Sequence, residues 1–356
     1  MVVRVTNPAP GSGPPAPRLA HIATQAEVSE ATVSRVLNGK PGVATTTRHR
    51  VLAALDVLGY ARPVRLKPRA TDLIGLVTPE LTNPIFPAFA QIIEQQLAGH
   101  GHTPILCTQI PGGATEDELV EQLVDRGVGG IIFLSGLHAD LSADPARYAN
   151  LSAAGIPYVL VNGYNERVSA PFVSPDDHVA VRMALTHLAD LGHTRIGLAV
   201  GPARYVPSHR KRQAFLEALG DAAEGAVQHT LFSVEGGRAA AAALLDQGCT
   251  GIICGSDMMA LGAVRAARER GLRVPADVSV VGYDDSPLIP FTDPPLTTVR
   301  QPVQAMASAA VGALLEELSG SPVQRTEYVF QPELVVRGST AQASVRGPAA
   351  RTRAPF

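Results

Sequence analysis

SEATVSRVLNG, Ser29 to Gly39, sits near one end of a 356-residue chain and sets Ser, Thr, Arg and Asn around a thin aliphatic strip. Wound at 3.6 residues per turn, Val33, Val36 and Leu37 fall at i, i+3 and i+4 and form a narrow apolar stripe. Glu30, Ala31, Ser34, Arg35 and Asn38 fall on the other side as two adjacent i, i+4 rows. The pattern predicts a short helix held down by one face and presenting the other. Ser29 is its natural N-cap, because a hydroxyl there can accept from a free N–H of the first turn.

The flanks say what kind of unit this is. Upstream, RLAHIATQAEV repeats apolar residues at Leu19, Ile22, Ala23 and Ala26, a second short amphipathic helix. Only Glu27, Val28 and Ser29 separate the two. Downstream, Asn38-Gly39 is a helix stop, and Val51, Leu52, Leu55 and Leu58 form a third apolar stripe that ends at Gly59. Three short helices with a three-residue turn between the first two make a helix-turn-helix. In that motif the second helix lays its polar face in the DNA major groove while the flanks hold phosphates.

Charge supports this reading. Residues 1–71 carry ten Lys/Arg against three acids (+7), whereas residues 72–356 carry twenty against twenty-nine (−9). A basic end on an acidic body suits a polyanion partner for that end, with a plain solvated basic surface as the alternative. No apolar run approaches the roughly 18 residues of a membrane span, so no membrane partner is expected. Residues 1–17, rich in Pro and Gly and without a long apolar stretch, read as a disordered leader rather than a secretion signal. Cys107, Cys249 and Cys254 have no metal spacing and read as reduced core thiols of a cytoplasmic protein.

ATVSRVLNG, the preceding LAHIA and the following TRHRVLAAL..LGY resemble the LacI/GalR (lactose-repressor-like) family of bacterial transcription regulators. The likeness runs from about Arg18 to Ser339. It implies that Glu30, Ala31 and Arg35 stand where base edges are touched. Arg35 is the strongest candidate, since a guanidinium pairs bidentately with guanine O6 and N7. Ser29, Thr32, Ser34 and Asn38 suit phosphate contacts, which position without specifying sequence. For each residue the alternative is a solvated helix face. Three positions depart from the family pattern. Glu27 replaces the usual Gly or Asn of the turn, Arg18 the usual cap of the first helix, and Ala44 the usual Ser before the third, where Thr45 or Thr46 could substitute. In the family, the linker that follows folds as a hinge helix and wedges a Leu into the minor groove. Here residues 61–71 are shorter and broken by Pro63 and Pro68, with Leu66 the one wedge candidate and Arg65 and Lys67 beside it. An extended basic arm along the minor groove, or a plain flexible linker, are the other readings.

From residue 72 onward, short β-branched runs alternate with amphipathic segments. Strands are expected at 73–77, 103–107, 130–134, 157–161, 195–200, 229–232, 251–254 and 278–282, with helices between most of them. Such units imply parallel sheets covered on both faces, and the two sets of four strands read as two α/β lobes with a cleft at their carboxyl ends. DPPLTTVRQP (293–302) is expected to cross back, returning a Val303–Leu318 helix to the first lobe. The family resemblance implies the same architecture, the two-lobed periplasmic-binding-protein-like (type I) fold. The expected division is a leader (1–17), a helix-turn-helix domain (18–60), a basic hinge or linker (61–71), an effector-binding and dimerisation domain (72–340) and a tail (341–356). Within the large domain the lobes are expected at 72–162 plus 300–322 and at 163–292 plus 323–340.

No nucleotide-binding glycine loop, zinc-protease helix or nucleophile elbow is present in the sequence, so no catalysis and no cofactor are expected. His187 and His193 read as structural. Cleft candidates come from strand ends and from family position. Asp257, which opens a helix after GIIC, could accept hydroxyl hydrogen bonds from a sugar-like ligand, or merely compensate the helix N-terminus. Phe86 and Phe232 could stack on a ring or belong to the core. HRKRQAF (209–215) matches the family's basic ligand clamp, with Lys211 in the usual Arg register and Arg210 and Arg212 beside it; surface salt bridging is the alternative. The expectation is therefore a regulator, in the repressor sense, that binds a pseudo-palindromic double-stranded operator as a homodimer. A sugar or sugar derivative between the lobes would control its affinity. Dimer contacts are expected near Ile85–Leu97 and Met258–Arg270. The alternatives are a solute-binding protein and a sequence-independent DNA-binding protein, the latter marked by steep salt dependence.

Overall fold

The computed structural model describes residues 19–37, 43–58, 72–109, 112–321 and 323–344. The expected leader and basic linker, with Asn38, Arg65, Leu66 and Lys67, lie outside the described residues, as does most of the tail.

The head is three helices, α1 (Leu19–Ala26), α2 (Glu30–Leu37) and α3 (Thr45–Val57). Their apolar stripes meet in one small core around Ile22, Val33, Val36, Val51 and Leu55. Burying such side chains contributes about 1.5–3 kcal/mol each, and a unit this small has few to spare.

The body has two sheets of six strands. The first takes β1 (Leu73–Thr78), β2 (Thr103–Thr108), β3 (Gly130–Leu134), β4 (Tyr158–Val161), β5 (Phe172–Pro175) and β11 (Glu327–Phe330), in the order β11-β5-β4-β3-β1-β2. The second takes β6 (Ile196–Val200), β7 (Val227–His229), β8 (Gly251–Cys254), β9 (Ser279–Asp284), β10 (Thr297–Arg300) and β12 (Glu333–Val335), in the order β12-β10-β9-β8-β6-β7. Among these pairings only β10 with β12 is antiparallel. The strands read as continuous apolar runs because both faces are covered. On the first lobe, α4 (Ile85–Gly99) and α11 (Val303–Leu318) cover one face, and α5 (Glu116–Asp125) with α6 (Ala146–Ala153) the other. On the second, α7 (Asp177–Asp190) and α8 (Val206–Leu219) lie on one face, with α9 (Val234–Asp246) and α10 (Asp257–Glu269) opposite.

The chain crosses between lobes later than the sequence suggests. Residues 172–175 and 327–330 belong to the first sheet as β5 and β11, so the first lobe extends past residue 162 and takes most of 323–330. These strands are short, β11 at the sheet edge and β5 beside it, and their pairing is set by distant neighbours. The expected strand at 229–232 ends at His229, which frees Phe232 from the ladder. The α11 return and its boundaries are as expected.

Candidate nucleic-acid interface and interlobe cleft

Between α1 and α2 the chain reverses through Glu27, whose φ is +52°. The N–H of Val28 bonds the carbonyl of Ala23 at 3.0 Å and that of Glu27 bonds Thr24 at 3.2 Å, closing α1 in the left-handed manner that glycine normally supplies. Ser29 then caps α2: its Oγ accepts from the Thr32 N–H at 3.2 Å and lies 2.9 Å from the Thr32 hydroxyl. Glu30, Ala31 and Arg35 are exposed together on α2, with Thr32 and Ser34 half-buried beside them, while Val33, Val36 and Leu37 are buried beneath. Ala44 occupies the N-cap position of α3, where its carbonyl accepts from Arg48 at 2.9 Å, and its methyl side chain satisfies none of the remaining N–H groups.

In the body, the carboxyl ends of the two parallel sheets face each other across a cavity of about 200 Å³. Phe86 enters from the first lobe, just after β1, and Phe232 from the second, just after β7. Phe232 lies so close to Gly201 that a Cβ there would stand 2.1 Å from its ring, so only glycine lets the ring lie where it does. Polar side chains come from successive strand ends: Asn83, Gln109, Ser135 and Asn162 from the first lobe, Asp284 and Gln301 from the second. Gln109 is fixed by the buried Glu116, whose Oε2 accepts from its Nε2 at 2.8 Å and from the Leu137 N–H at 2.8 Å, while Oε1 accepts from the Tyr148 hydroxyl at 2.7 Å. Along one rim the lobes touch directly. Leu141 N–H donates to Arg204 O at 2.8 Å, and Arg204 Nε lies 2.9 Å from Asp140 Oδ2.

Asp284 is the least comfortable group in the cavity. It and Asp285 carry φ of +113° and +58°, a run of backbone strain held by its surroundings. Its Oδ1 accepts from Gln301 Nε2 at 2.7 Å, while its Oδ2 and Gln301 Oε1 are buried without a well-formed hydrogen bond. Burial, then the charge of Asp257, raises its carboxyl well above the ordinary range; Gln301, Lys211 and Asn83 act in the opposite sense. Buried acceptors without donors cost free energy unless a ligand or water supplies the donor.

The expected cleft residues divide. Phe86, Lys211 and Phe232 line the cavity, while Arg210 and Asp257 do not. Asp257 is buried behind the wall, where Oδ1 accepts from the Thr298 hydroxyl at 2.7 Å and Oδ2 from the Ser286 N–H at 2.7 Å. It braces the strained corner at 284–286, and burial pushes its carboxyl up to about 6. Arg210 spans the lobes instead, bidentate to Glu327 of β11 at 2.7 and 2.9 Å. Lys211 is buried in an ion pair with Asp177, its ammonium 3.9 Å from the centre of the Tyr283 ring. Asp284 and Gln301 escaped the sequence reading. The acid pair directly after the buried run VSVVGY was a usable signal for the first, and Gln301 had no local one. His193 is structural as expected, with Nδ1 3.0 Å from the Thr250 hydroxyl and Nε2 2.9 Å from that of Ser279. No group of three His, Cys, Asp or Glu side chains that could hold a metal occurs among the described residues, nor does a helix long and apolar enough to cross a membrane.

Two family descriptions match the chain: bacterial regulatory proteins, lacI family, over residues 18–63, and periplasmic binding protein-like domain over residues 185–340. Over 346 residues the chain is 73% identical to an uncharacterized HTH-type transcriptional regulator in the aml 5′ region of Streptomyces limosus, covering 95% of this chain and 99% of that protein. The HTH-type transcriptional regulator MalR of Streptomyces coelicolor is 65% identical over 334 residues, covering 92% and 97%. Among solved structures, a complex of the transcriptional regulator CelR with cellobiose superposes with a TM-score of 0.67 at 33% identity, covering 91% of this chain and 100% of that one. The lac repressor dimer bound to operator and the anti-inducer ONPF gives 0.67 at 28% identity, covering 91% and 99%.

Proposed function

This chain belongs to the lacI family of bacterial regulatory proteins, and from that premise and its own geometry we propose that it represses transcription in the cytoplasm as a homodimer on a pseudo-palindromic operator. A saccharide bound between the lobes would set its operator affinity. It is a DNA-binding transcription regulator and not an enzyme. The observation that carries the effector reading is the cavity itself. Two aromatic rings flank it, and the buried Asp284 and Gln301 present Oδ2 and Oε1 without a well-formed hydrogen bond. Sugars offer an apolar ring face and hydroxyl donors, which match both features. CelR in complex with cellobiose is a structural relative with a sugar bound.

Arg35, Glu30 and Ala31 read base edges, and Ser29, Thr32 and Ser34 face phosphates. Ser29 does so through the turn it caps, since its Oγ is already engaged. Asn38, Arg65, Leu66 and Lys67 complete the interface from outside the described residues. The dimer surface lies near Ile85–Leu97 and Met258–Arg270, and after α10 the chain exposes Leu288 (70%) and Phe291 (84%). Burying such side chains between two copies stabilises an assembly. Effector binding changes the lobe arrangement and with it the spacing of the two heads, provided it prefers one arrangement.

The test is an in vitro selection from random duplex DNA with the full-length protein at near-physiological salt. One enriched inverted repeat is expected, followed by a shift in its affinity when a disaccharide panel is added. Binding without a preferred site, falling steeply with salt, would leave a sequence-independent DNA binder instead.

A further inference from the structure

The proposal above says that a saccharide fills the cleft; resting on that reading, we infer that the effector is an uncharged polyhydroxylated sugar, and that the cleft rejects phosphorylated and carboxylated ones.

The basic run HRKR is where an anionic ligand would be held. Each of its three strong cations is already committed to a carboxylate of the chain: Arg210 to Glu327 at 2.7 Å, Lys211 to Asp177, and Arg212 to Glu224. Only Lys211 lines the cavity, and its partner Asp177 is itself buried and also receives the Tyr283 hydroxyl at 3.4 Å. An ammonium paired at close range offers an incoming anion little net attraction. Lys also lacks the second, parallel N–H set with which an arginine could bridge two acids at once. The remaining charged side chains of the lining, Glu80 and Asp284, are carboxylic acids. The nearby Arg204 is paired with Asp140 on the rim. The wall therefore carries more acid than free base, in a space where a poorly paired charge is expensive.

Helix N-termini could still supply positive potential, and three of them approach the cavity. Each offers fewer than its full set of first-turn N–H groups. Met259 N–H of α10 is bonded to Ser256 Oγ at 3.3 Å, with Asp257 at the same helix end. Ile85 N–H of α4 is bonded to Asn83 Oδ1 at 3.3 Å. In α8, Pro207 has no N–H to offer. Of the lining atoms without a hydrogen bond, Gln301 Oε1 is an acceptor, and an acceptor calls for a hydroxyl donor rather than a phosphate oxygen.

Calorimetry on the full-length protein would use sugars that differ chiefly in a phosphate or carboxylate: trehalose against trehalose 6-phosphate, maltose against maltose 1-phosphate, and cellobiose against cellobiouronic acid. The neutral member of at least one pair is expected to bind about a hundredfold or more tighter than its charged partner. Glu80→Gln, which keeps the shape and removes one acid of the lining, should narrow that gap. A charged member binding as tightly as its neutral partner, or tighter, overturns the inference and leaves the saccharide reading standing. Binding of neither member of any pair removes the saccharide reading, and this inference with it.

Discussion

The outward face of α2 and the floor of the cleft are both polar layers on an apolar base, yet they keep their charged groups in opposite ways. On α2, Glu30, Ala31 and Arg35 stand in water above a core of short aliphatic side chains. In the cleft wall and just behind it, Lys211, Asp177, Asp257 and Asp284 are buried and tied to one another's neighbourhood by specific bonds. The first set is open to solvent and to DNA. The second must be solvated by the protein itself. A change in the reading face should therefore alter binding and spare the fold, while a change in the cleft should alter both.

Lys211→Ala is the hardest test of that contrast. It leaves Asp177 buried without its cation, and breaking a buried pair from one side costs about 3–5 kcal/mol. Denaturant unfolding should show a loss of that order, and Asp177→Asn placed on top should recover part of it. A loss within about 0.5 kcal/mol, the range of ordinary surface changes, would mean that water reaches the pair and that the cleft solvates its charges as the head does.

The two lobes should also answer pH in opposite senses. His138, fully buried in the first lobe with Nε2 3.1 Å from Val161 O, is held down to about 4 by desolvation. Its folded-state value lies below the unfolded one. It therefore contributes stability that is present above about pH 6.5 and is lost as pH falls toward 4. Asp257 is shifted the other way, to about 6. The folded state there binds the proton more tightly, so the wild type loses stability relative to Asp257→Asn as pH rises from about 4 to 6. Each effect is on the order of a few kcal/mol at most. Imidazole NMR should show His138 neutral down to about pH 4. The difference in Tm between wild type and Asp257→Asn should shrink between pH 4 and 7; a flat difference would place Asp257 in contact with solvent.

Arg35→Ala sharpens the other side. It should weaken binding to the selected operator by about 1–3 kcal/mol and relax preference at one base pair. Its unfolding midpoint should stay within the range of a surface substitution. Loss of affinity that is uniform across all sequences would move Arg35 to the phosphates.

The same contrast decides what the sequence could tell. The head's helices follow patterns a few residues long, so its periodicity, its turn and the Ser29 cap are all legible in a window of about twenty residues, although its core joins Ile22 to Val51 and Leu55. Phe86 and Phe232 were legible from strand ends, and Lys211 from its place in the family's basic clamp. Asp257 was misplaced because an acid at a helix start looks the same whether it faces a ligand or braces a corner. What separates the two is the Ser286 N–H and the Thr298 hydroxyl, 29 and 41 residues away. Gln301 is in the cavity only because β10 lies beside β9, and the lobe boundary moved because β5 pairs with β11, a partner about 150 residues distant. Sheet order carries such information, and local pattern does not.

The smallest effect expected lies in the head, at a place where its local rules are broken. Glu27 holds φ at +52° in the turn before α2, a conformation that costs an L-residue roughly 1–2 kcal/mol. Glycine removes that penalty but gives back about 0.5–1 kcal/mol through the greater freedom of the unfolded chain. Glu27→Gly should then stabilise the head by about 0.5–1 kcal/mol and, by removing an exposed acid from its DNA-facing end, tighten binding to any duplex without changing the preferred site. Hydrogen exchange of the α1 and α2 amides reads the first part, and binding to operator and to random duplex reads the second. Slower exchange with an equal gain on both duplexes is the expected result. A gain confined to the operator would make the Glu27 turn part of the sequence readout, and the head would then share with the cleft a strained acid placed for recognition.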